Sequence, residues 1–192
     1  KAAKELKRDM ETALLSNVAK AAGNATTARK LGGLPTWIAT NVDKGSGGSG
    51  SGGGAARSDG TQRAFTEDQL KGVLRSAFNE GGNPNMIMVD AFNKQKLSGF
   101  TGGSTRFDQA EDRRLVTSID VYESDFGTLQ VAPNRFIRGA NSTAAKKGQD
   151  ALILEMDFFA VAFLRDFALQ TPAQTADADQ RFMVAEYTLE SR

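Results

Sequence analysis

Two stretches of the chain alternate apolar and polar side chains with the two-residue period of a half-buried strand. They run from Phe126 to Arg135 and from Arg181 to Glu190. Because successive strand residues point to opposite faces of a sheet, each stretch predicts one face toward a core and one toward solvent. We therefore expect strands in both places, with Arg181–Glu190 as the last and longest strand.

Two other segments place apolar residues three and four positions apart, the spacing of one helix face. The first runs from Lys1 to about Ala22 and ends at Gly23–Asn24, which predicts a rod on the order of 30 Å long. The second opens with Thr66 and, three residues later, Gln69, a capping box that satisfies free N–H groups at a helix start. Gly81–Gly82 stops this second helix. Its predicted buried face consists of Leu70, Val73, Leu74, Ala77 and Phe78.

Shorter runs predict the remaining elements. Asn85–Val89 is a short apolar run between Pro84 and Asp90, as expected for a strand buried on both faces. A short helix is predicted to follow over Ala91–Leu97. The other predicted strands are Leu115–Tyr122 and Thr128–Ala132, joined by a turn at Ser124–Gly127, and then Ala151–Leu154 and Phe158–Leu164.

Polar or glycine-rich segments separate these elements. Gly32–Thr40, which contains Pro35 and the only tryptophan, is predicted to be extended. Gly45–Gly60 has no bulky apolar side chain, so we expect a flexible surface loop, with an inserted laboratory linker as the alternative. Polar loops or connections are predicted over Gly99–Arg114, Arg138–Gln149 and Thr171–Asp179. Together the elements predict an α+β fold with two packed regions.

Composition excludes several kinds of function. The 192 residues include no histidine and no cysteine, which excludes imidazole and thiolate catalysis, Cys/His zinc sites and disulfides. No stretch approaches the roughly 18 apolar residues of a membrane-spanning helix. The net charge of +1 divides into +4 for residues 1–44, +2 for 45–149 and −5 for 150–192. This division suits complementary contacts between subunits better than nucleic-acid binding, because no dense basic patch interleaved with aromatics is present.

Three features invite a chemical interpretation. Asp120, Glu123 and Asp125 lie near the predicted hairpin, but strand alternation separates Asp120 from the other two, which favours a solvated hairpin end over a metal or acid–base cluster. The Gly45–Gly60 tract lacks the glycine–lysine pattern of a phosphate-binding loop. Asp157–Phe163 concentrates aromatic residues, for which core packing is favoured over a ligand pocket.

Seven segments, in order along the chain, carry a likeness to a known family. They are Ala3–Glu11, Ala28–Ile38, Phe65–Leu70, Asn93–Lys96, Phe126–Leu129, Pro133–Arg135 and Glu186–Glu190. In these segments the chain resembles the major capsid proteins of tailed bacteriophages that have the Hong Kong 97-type fold. The likeness lies in whole segments and includes no catalytic fingerprint.

The resemblance implies a long spine helix packed on a long-stranded peripheral sheet, together with a mixed α/β axial domain. Residues 1–64 would form the peripheral domain, 65–169 the axial domain and 170–192 the peripheral return strand. Since the chain begins at Lys1 directly in helical pattern, we expect a fragment without the N-terminal arm and extended loop of such proteins.

The implied function is that of a structural subunit, with no enzymatic activity and no cofactor. Copies of the chain would form the pentamers and hexamers of an icosahedral head around double-stranded DNA, which they would contact non-specifically. Scaffold, portal and decoration proteins are further expected partners, and no membrane is involved. Assembly is expected in the host cytoplasm and residence in the virion. A decoration or adaptor protein that acts as a binding module is the alternative.

Charged side chains of two predicted polar loops are the candidates for subunit contacts near the symmetry axes. Simple exposure of both loops to solvent is the alternative. No catalytic, cofactor-binding or metal-binding residue is expected. The contact candidates are Arg106, Asp108, Arg113, Arg114, Arg138, Lys146 and Lys147.

Overall fold

The computed structural model describes residues 2–50, 52–58, 60–100, 120–137, 150–173, 177 and 180–191. Both helices and sheets are present, which confirms the α+β class. No helix in these ranges is long and apolar enough to cross a bilayer. The elements in chain order are α1 (Ala2–Leu15), a 3-10 turn (Leu34–Thr36), α2 (Glu67–Asn79), β1 (Met86–Val89), α3 (Ala91–Ser98), β2 (Val121–Ser124), β3 (Gly127–Pro133), β4 (Ala151–Leu154), a second 3-10 turn (Met156–Phe158), β5 (Phe159–Gln170) and β6 (Phe182–Ser191).

A four-stranded sheet forms the centre of a lobe. Its strand order is β2-β3-β1-β4, with β1 parallel to β3 and antiparallel to β4. Ile87 of β1 lies opposite Val131 of β3 and Ile153 of β4. Ile87 and Val89 are fully buried on one face, while Met88 packs against a second core on the other. The prediction of a strand buried on both faces is therefore confirmed.

Two separate hydrophobic cores hold the fold together. The first packs α2 and α3 against one face of the four-stranded sheet, and the second joins the end of α1, the first 3-10 turn and β4 to the β5–β6 strands. The buried members of the first core are Leu70, Leu74, Ile87, Val89, Leu97, Tyr122, Leu129 and Val131. Those of the second core are Leu15, Leu34, Ile137, Leu152 and Leu154, with Phe159 and Leu189 packed against them.

Helix α2 begins as the sequence predicts. The Thr66 hydroxyl accepts the N–H of Gln69 at 3.4 Å, and the Gln69 side chain accepts the N–H of Thr66 at 3.1 Å. Leu70 and Leu74 are each 1% exposed, as expected for its core-facing side. The prediction that Phe78 is also buried is wrong, because its side chain is 54% exposed near the end of the helix.

The predicted short helix after β1 and the predicted turn between β2 and β3 are also confirmed. Of the strand predicted over Leu115–Tyr122, residues 115–119 lie outside the described residues, and β2 begins at Val121. Asp90 caps α3 by accepting the N–H of Asn93 at 2.9 Å. At the turn between β2 and β3, the Ser124 hydroxyl donates to the carbonyl of Gly127 at 2.8 Å. Gly127 has a φ of 143°, a backbone conformation that a residue with a side chain rarely adopts.

Helix α1 ends at Leu15, so the prediction of a helix to about Ala22 is wrong. The Asn17 amide turns away from the helix and exchanges two hydrogen bonds of 2.8 Å with the backbone of Arg57. Asparagine competes in this way for backbone partners and disfavours the helix interior. With 14 residues, the described helix is about 21 Å long.

Gly23–Asn24 also has a different role from the predicted helix end. Gly23 has a φ of 80°, and the Asn24 side chain accepts the N–H groups of Thr26 and Thr27 at 2.9 and 2.7 Å. The chain therefore reverses direction here, and Ala21 and Lys30 pair through two backbone hydrogen bonds of 3.0 Å.

The described residues of the glycine/serine tract lie mostly at the surface, as predicted, but backbone hydrogen bonds also tie the tract to the rest of the chain. Ser49 and Ser58 pair as in a hairpin, and Gly52 and Gly54 are buried. Gly54 accepts the N–H of Lys20 at 2.9 Å and donates its own N–H to Thr36 at 3.0 Å. Backbone hydrogen bonds thus hold this tract in place, although it has no large apolar side chains to bury.

Arg57 fixes this tract to the first 3-10 turn. Its guanidinium donates to the carbonyls of Pro35 and Ile38, and burial lowers its pKa, opposed by the charge of Asp150. The predicted extended segment Gly32–Thr40 therefore contains one helical turn, with Pro35 in its first positions. Proline suits that position because its fixed φ is already helical and it has no N–H to satisfy.

Strands β5 and β6 form a separate antiparallel pair, called here the ribbon. The strand predicted over Arg181–Glu190 is confirmed, but β5 has 12 residues against 10 for β6, so β6 is not the longest. The strand predicted over Phe158–Leu164 is confirmed in part, because β5 begins at Phe159, after the second 3-10 turn, and continues past Leu164 to Gln170. Helix α1 packs beside β6, which is the predicted arrangement of first helix and last strand.

Candidate self-association surface

Exposed apolar side chains concentrate on the ribbon. On β5, Val161 is 38%, Phe163 44%, Leu164 82% and Leu169 58% exposed, and Phe182 of β6 is 44% exposed. Within the described ranges, β5 pairs with no strand other than β6. A two-stranded pair is marginally stable alone in water, and exposed apolar surface of this kind is typical of contacts between proteins.

Two irregularities shape the outer strand of the ribbon. The register passes from Phe163 opposite Tyr187 to Arg165 opposite Glu186, so Leu164 is an extra residue in β5. A second shift follows between Arg165 and Ala168. Such bulges twist a strand and interrupt its ladder, so pairing of a further strand along the whole edge of β5 is disfavoured. The exposed side chains, rather than the backbone edge, are therefore the contact surface that β5 offers.

Aromatic side chains contact one another within the ribbon, and helix α1 packs beside β6 and contacts one of the rings. The Phe163 ring lies 5.8 Å from Phe167 and 6.3 Å from Tyr187. The Lys7 ammonium lies 5.6 Å from the centre of the Phe167 ring, a cation–π distance. Burial, together with the negative charge of Asp9, raises the pKa of Tyr187. The helix thus holds the ribbon in place and leaves much of β5 uncovered.

A smaller apolar group lies on the lobe. Phe78, at the end of α2, stacks 4.9 Å from Phe126 in the turn between β2 and β3. Val121 of β2 is 56% exposed, and Phe92 of α3 is 49% exposed below the Lys96 ammonium. These residues offer a second contact area that is independent of the ribbon.

The polar groups of the lobe form stabilising pairs. Lys94 binds Asp120 at 3.0 Å, while Glu123 and Asp125 are exposed at the hairpin, as expected for a solvated hairpin end. The Tyr122 hydroxyl lies 3.5 Å from Glu67, which pairs with Lys71 at 2.9 Å. Burial is the main cause that raises the pKa of Tyr122. In the described part of the chain, no three acidic side chains approach closely enough to hold a metal ion.

The residues predicted for subunit contacts lie outside the described residues. Arg106, Asp108, Arg113 and Arg114 fall within 101–119, and Arg138, Lys146 and Lys147 fall within 138–149. The core interpretation of Asp157–Phe163 is wrong for two of its aromatics, because Phe158 is 45% and Phe163 44% exposed. An apolar run in a strand has the same pattern whether it faces a core or a neighbouring molecule, so the sequence carried no signal that separates the two.

A lobe with its own core, a helix-supported ribbon and exposed apolar surfaces define the class of a structural protein that associates through its surface. The family model of the SU10 major capsid protein matches residues 1–192, the whole chain, which therefore belongs to the SU10 major capsid protein family. No curated protein matches the chain.

Membership of this family establishes the main function. The chain is a bacteriophage major capsid protein, a structural protein rather than an enzyme. Major capsid proteins self-assemble into the capsid shell, so copies of the same chain are its partners and the virion is its location. The exposed apolar side chains of the ribbon and lobe agree with this function, because a shell subunit must bury part of its surface against its neighbours.

Proposed function

We propose that the chain is the repeating subunit of an icosahedral head with the Hong Kong 97-type fold, which forms pentamers and hexamers around double-stranded DNA. The observation that carries the proposal is the β5–β6 ribbon, supported by α1 and separate from the lobe. This arrangement suits the peripheral and axial domains of that fold. Assembly takes place in the host cytoplasm, where scaffold, portal and decoration proteins are further partners.

The proposed domains are residues 1–64, 65–169 and 170–192. In this division β5 belongs to the axial stretch in sequence but pairs with the return strand β6 in space. The ribbon therefore carries the chain from the lobe to the peripheral part and back. The decoration or adaptor alternative is disfavoured, because the family model that matches is that of a major capsid protein.

The loops that contain Arg106–Arg114 and Arg138–Lys147 remain the proposed contacts near the symmetry axes. Changing Arg113 and Arg114 to Glu places negative charge where the proposal requires positive charge. We expect a lower shell yield with unchanged circular dichroism of the subunit. An unchanged yield would count against these loops as contacts.

Electron microscopy of the expressed full-length protein tests the proposal directly. We expect closed shells of uniform diameter with five-fold and six-fold capsomers, and packaged DNA protected from nuclease in particles from infected cells. Open sheets, or particles without icosahedral symmetry, would contradict the proposed assembly but not the family assignment. A reconstruction in which the ribbon and lobe adopt another arrangement would contradict the proposed fold.

A further inference from the structure

An open groove lies between α1 and the segment that follows β3. Its volume is about 340 Å³, and both basic and apolar side chains line it. Glu11 is the acid of the groove, and it accepts a hydrogen bond of 2.7 Å from the Asn134 amide. Lys7, Arg8 and Arg135 are exposed, so the groove carries an excess of positive charge. The lining residues are Lys7, Arg8, Glu11, Pro133, Asn134, Arg135 and Phe136.

An exposed turn elsewhere on the chain carries a negative charge and apolar side chains that complement the lining of the groove. The second 3-10 turn, Met156–Phe158, is called here the knob. Met156 is 38% and Phe158 45% exposed, and they flank the exposed carboxylate of Asp157. Asp157 has no ionic partner among the described residues. The knob thus presents one negative charge between two apolar side chains.

The knob and the groove lie at opposite ends of the four-stranded sheet. The Met156 N–H donates to the side chain of Asn85, directly before β1. Beyond the other end of β1, the Asn134 N–H donates to the carbonyl of Val89 at 2.7 Å. Four strand residues separate these ends, about 13 Å along the strand. The knob and the groove of one chain are therefore separated by the length of β1.

We propose that the knob of one subunit docks into the groove of a neighbouring copy in the shell, with Asp157 against Arg135 and Arg8. The inference rests on the proposed function and names the surfaces that two copies bring together. A contact between two different surfaces of one chain is head-to-tail, and repetition of such a contact closes rings or extends arrays. The apolar side chains beside the charges would bury against Phe136 and Pro133.

Two arguments favour a second copy over DNA as the occupant. A phosphate backbone would pair with the basic residues but would leave Pro133 and Phe136 without an apolar partner. The groove also contains the carboxylate of Glu11, which repels phosphate. The knob offers a negative charge to the basic residues of the groove and apolar side chains to Pro133 and Phe136. Every assembling copy carries such a knob.

Cysteine pairs test the contact, because these 192 residues contain no cysteine of their own. The test uses the full-length protein, one preparation with Asp157→Cys and another with Arg135→Cys, assembled together and treated with a bifunctional thiol-reactive crosslinker. An aspartate–arginine pair holds its Cα atoms farther apart than the roughly 4.4–6.8 Å that a disulfide spans, so the crosslinker bridges the two thiols and a covalent dimer on a denaturing gel reports the docked geometry. We expect dimers from the mixture and none from either variant alone. Asp157→Cys with Arg8→Cys is the second pair.

The matched control is Asp68→Cys, an exposed acid in the first turn of α2, mixed with Arg135→Cys. We expect no dimer from this mixture. Shells that form without a crosslink from either knob pair would overturn the proposal. Dimers from Asp157→Cys alone would also overturn it, since they would show a symmetric contact of knob with knob.

Charge exchange gives an independent measurement. Asp157→Lys and Arg135→Glu each place like charges together, and we expect each to lower shell yield about tenfold or more. The double variant restores opposite charges in reversed order, so its yield should exceed that of both single variants. Asp68→Lys is the control with the same change of charge and an expected yield near wild type. A double variant whose loss equals the product of the single losses would overturn the contact.

The outcomes separate this inference from the proposed function. Closed wild-type shells together with full assembly of Asp157→Lys would overturn the contact and leave the proposed function intact. Failure of the wild-type protein to form icosahedral shells would overturn the proposed function itself. Normal shells of Arg135→Glu that retain less DNA would assign the groove to nucleic acid and overturn the knob as its occupant.

Discussion

Replacement of Asn17 by alanine is expected to detach the glycine/serine tract from the end of α1. The Asn17 side chain is buried, and it forms hydrogen bonds to the tract at Arg57. Its Nδ2 donates to the Arg57 carbonyl and its Oδ1 accepts the Arg57 N–H, both at 2.8 Å. Alanine removes both bonds and leaves two backbone groups of Arg57 without these partners.

The expected loss in the free energy of unfolding is about 2–4 kcal/mol. A buried polar group that loses its partner costs about 1–3 kcal/mol, and two groups are affected. The two groups together would cost about 2–6 kcal/mol. The lower part of this sum applies, because Arg57 is only half-buried and water reaches its backbone once the tract loosens. The guanidinium contacts of Arg57 with Pro35 and Ile38 limit how far the tract moves.

Urea denaturation followed by circular dichroism measures this loss from the midpoint and slope of the transition. Amide hydrogen exchange at Gly54, whose N–H donates to Thr36, reports whether the tract detaches locally. Asn79→Ala, at the exposed end of α2, is the matched control and should change stability by less than about 0.5 kcal/mol. If Asn17→Ala is as mild as this control and Gly54 remains protected, the assigned role of Asn17 is refuted.

Three further predictions address the cap, the ribbon and the tyrosines. Thr66→Ala removes half of the α2 capping box and should lower the free energy of unfolding by about 1 kcal/mol in the same urea assay, whereas Thr66→Asp, which keeps an acceptor, should lose less. Leu164→Ser should change the unfolding midpoint little but lower shell yield in sedimentation, and an unchanged yield would exclude this side chain from a subunit contact. Tyr122 and Tyr187 have raised pKa values, so the fold favours their protonated forms. The stability that these two residues contribute is therefore present below about pH 10 and falls as the pH rises through their folded pKa values. Ultraviolet titration should show that both tyrosines ionise at a higher pH than an exposed tyrosine. Ionisation at the ordinary tyrosine pKa would contradict the burial of both rings.

The parts that sequence predicted well are those decided by neighbouring residues. The capping box at Thr66 and Gln69, the Asp90 cap and the Ser124–Gly127 turn depend on side chains within three positions of the backbone groups they satisfy. The run at Met86–Val89 identified an inner strand because its apolar residues are continuous rather than alternating. Local chemistry sufficed for each of these elements.

The errors arose where distant residues decide the structure. Val18 and Ala21 continue the apolar period of α1, yet Val18 is 44% exposed outside the helix. The competing partner of Asn17 is Arg57, 40 positions away, so the period alone could not show that the helix ends at Leu15. The same separation explains the glycine/serine tract, whose order depends on contacts with Lys20 and Thr36.

The ribbon illustrates a more general limit. Leu129 and Val131 on β3 and Phe163 and Leu164 on β5 are all apolar strand residues, but only the first pair is buried within the chain. Apolar pattern predicts that a side chain will be removed from water, and it does not specify whether its own chain or a copy removes it.

For a protein that works as an assembled shell, this ambiguity has a thermodynamic consequence. The lobe is stabilised by its own core, whereas much of β5 has exposed apolar side chains that a neighbouring copy would cover under the proposed function. Binding stabilises the bound state by mass action, so the ribbon should gain more protection on assembly than the lobe. Comparison of amide exchange in free and assembled subunits should therefore show the largest increase in β5, in residues near Leu164, and little change at Ile87 in the centre of the sheet.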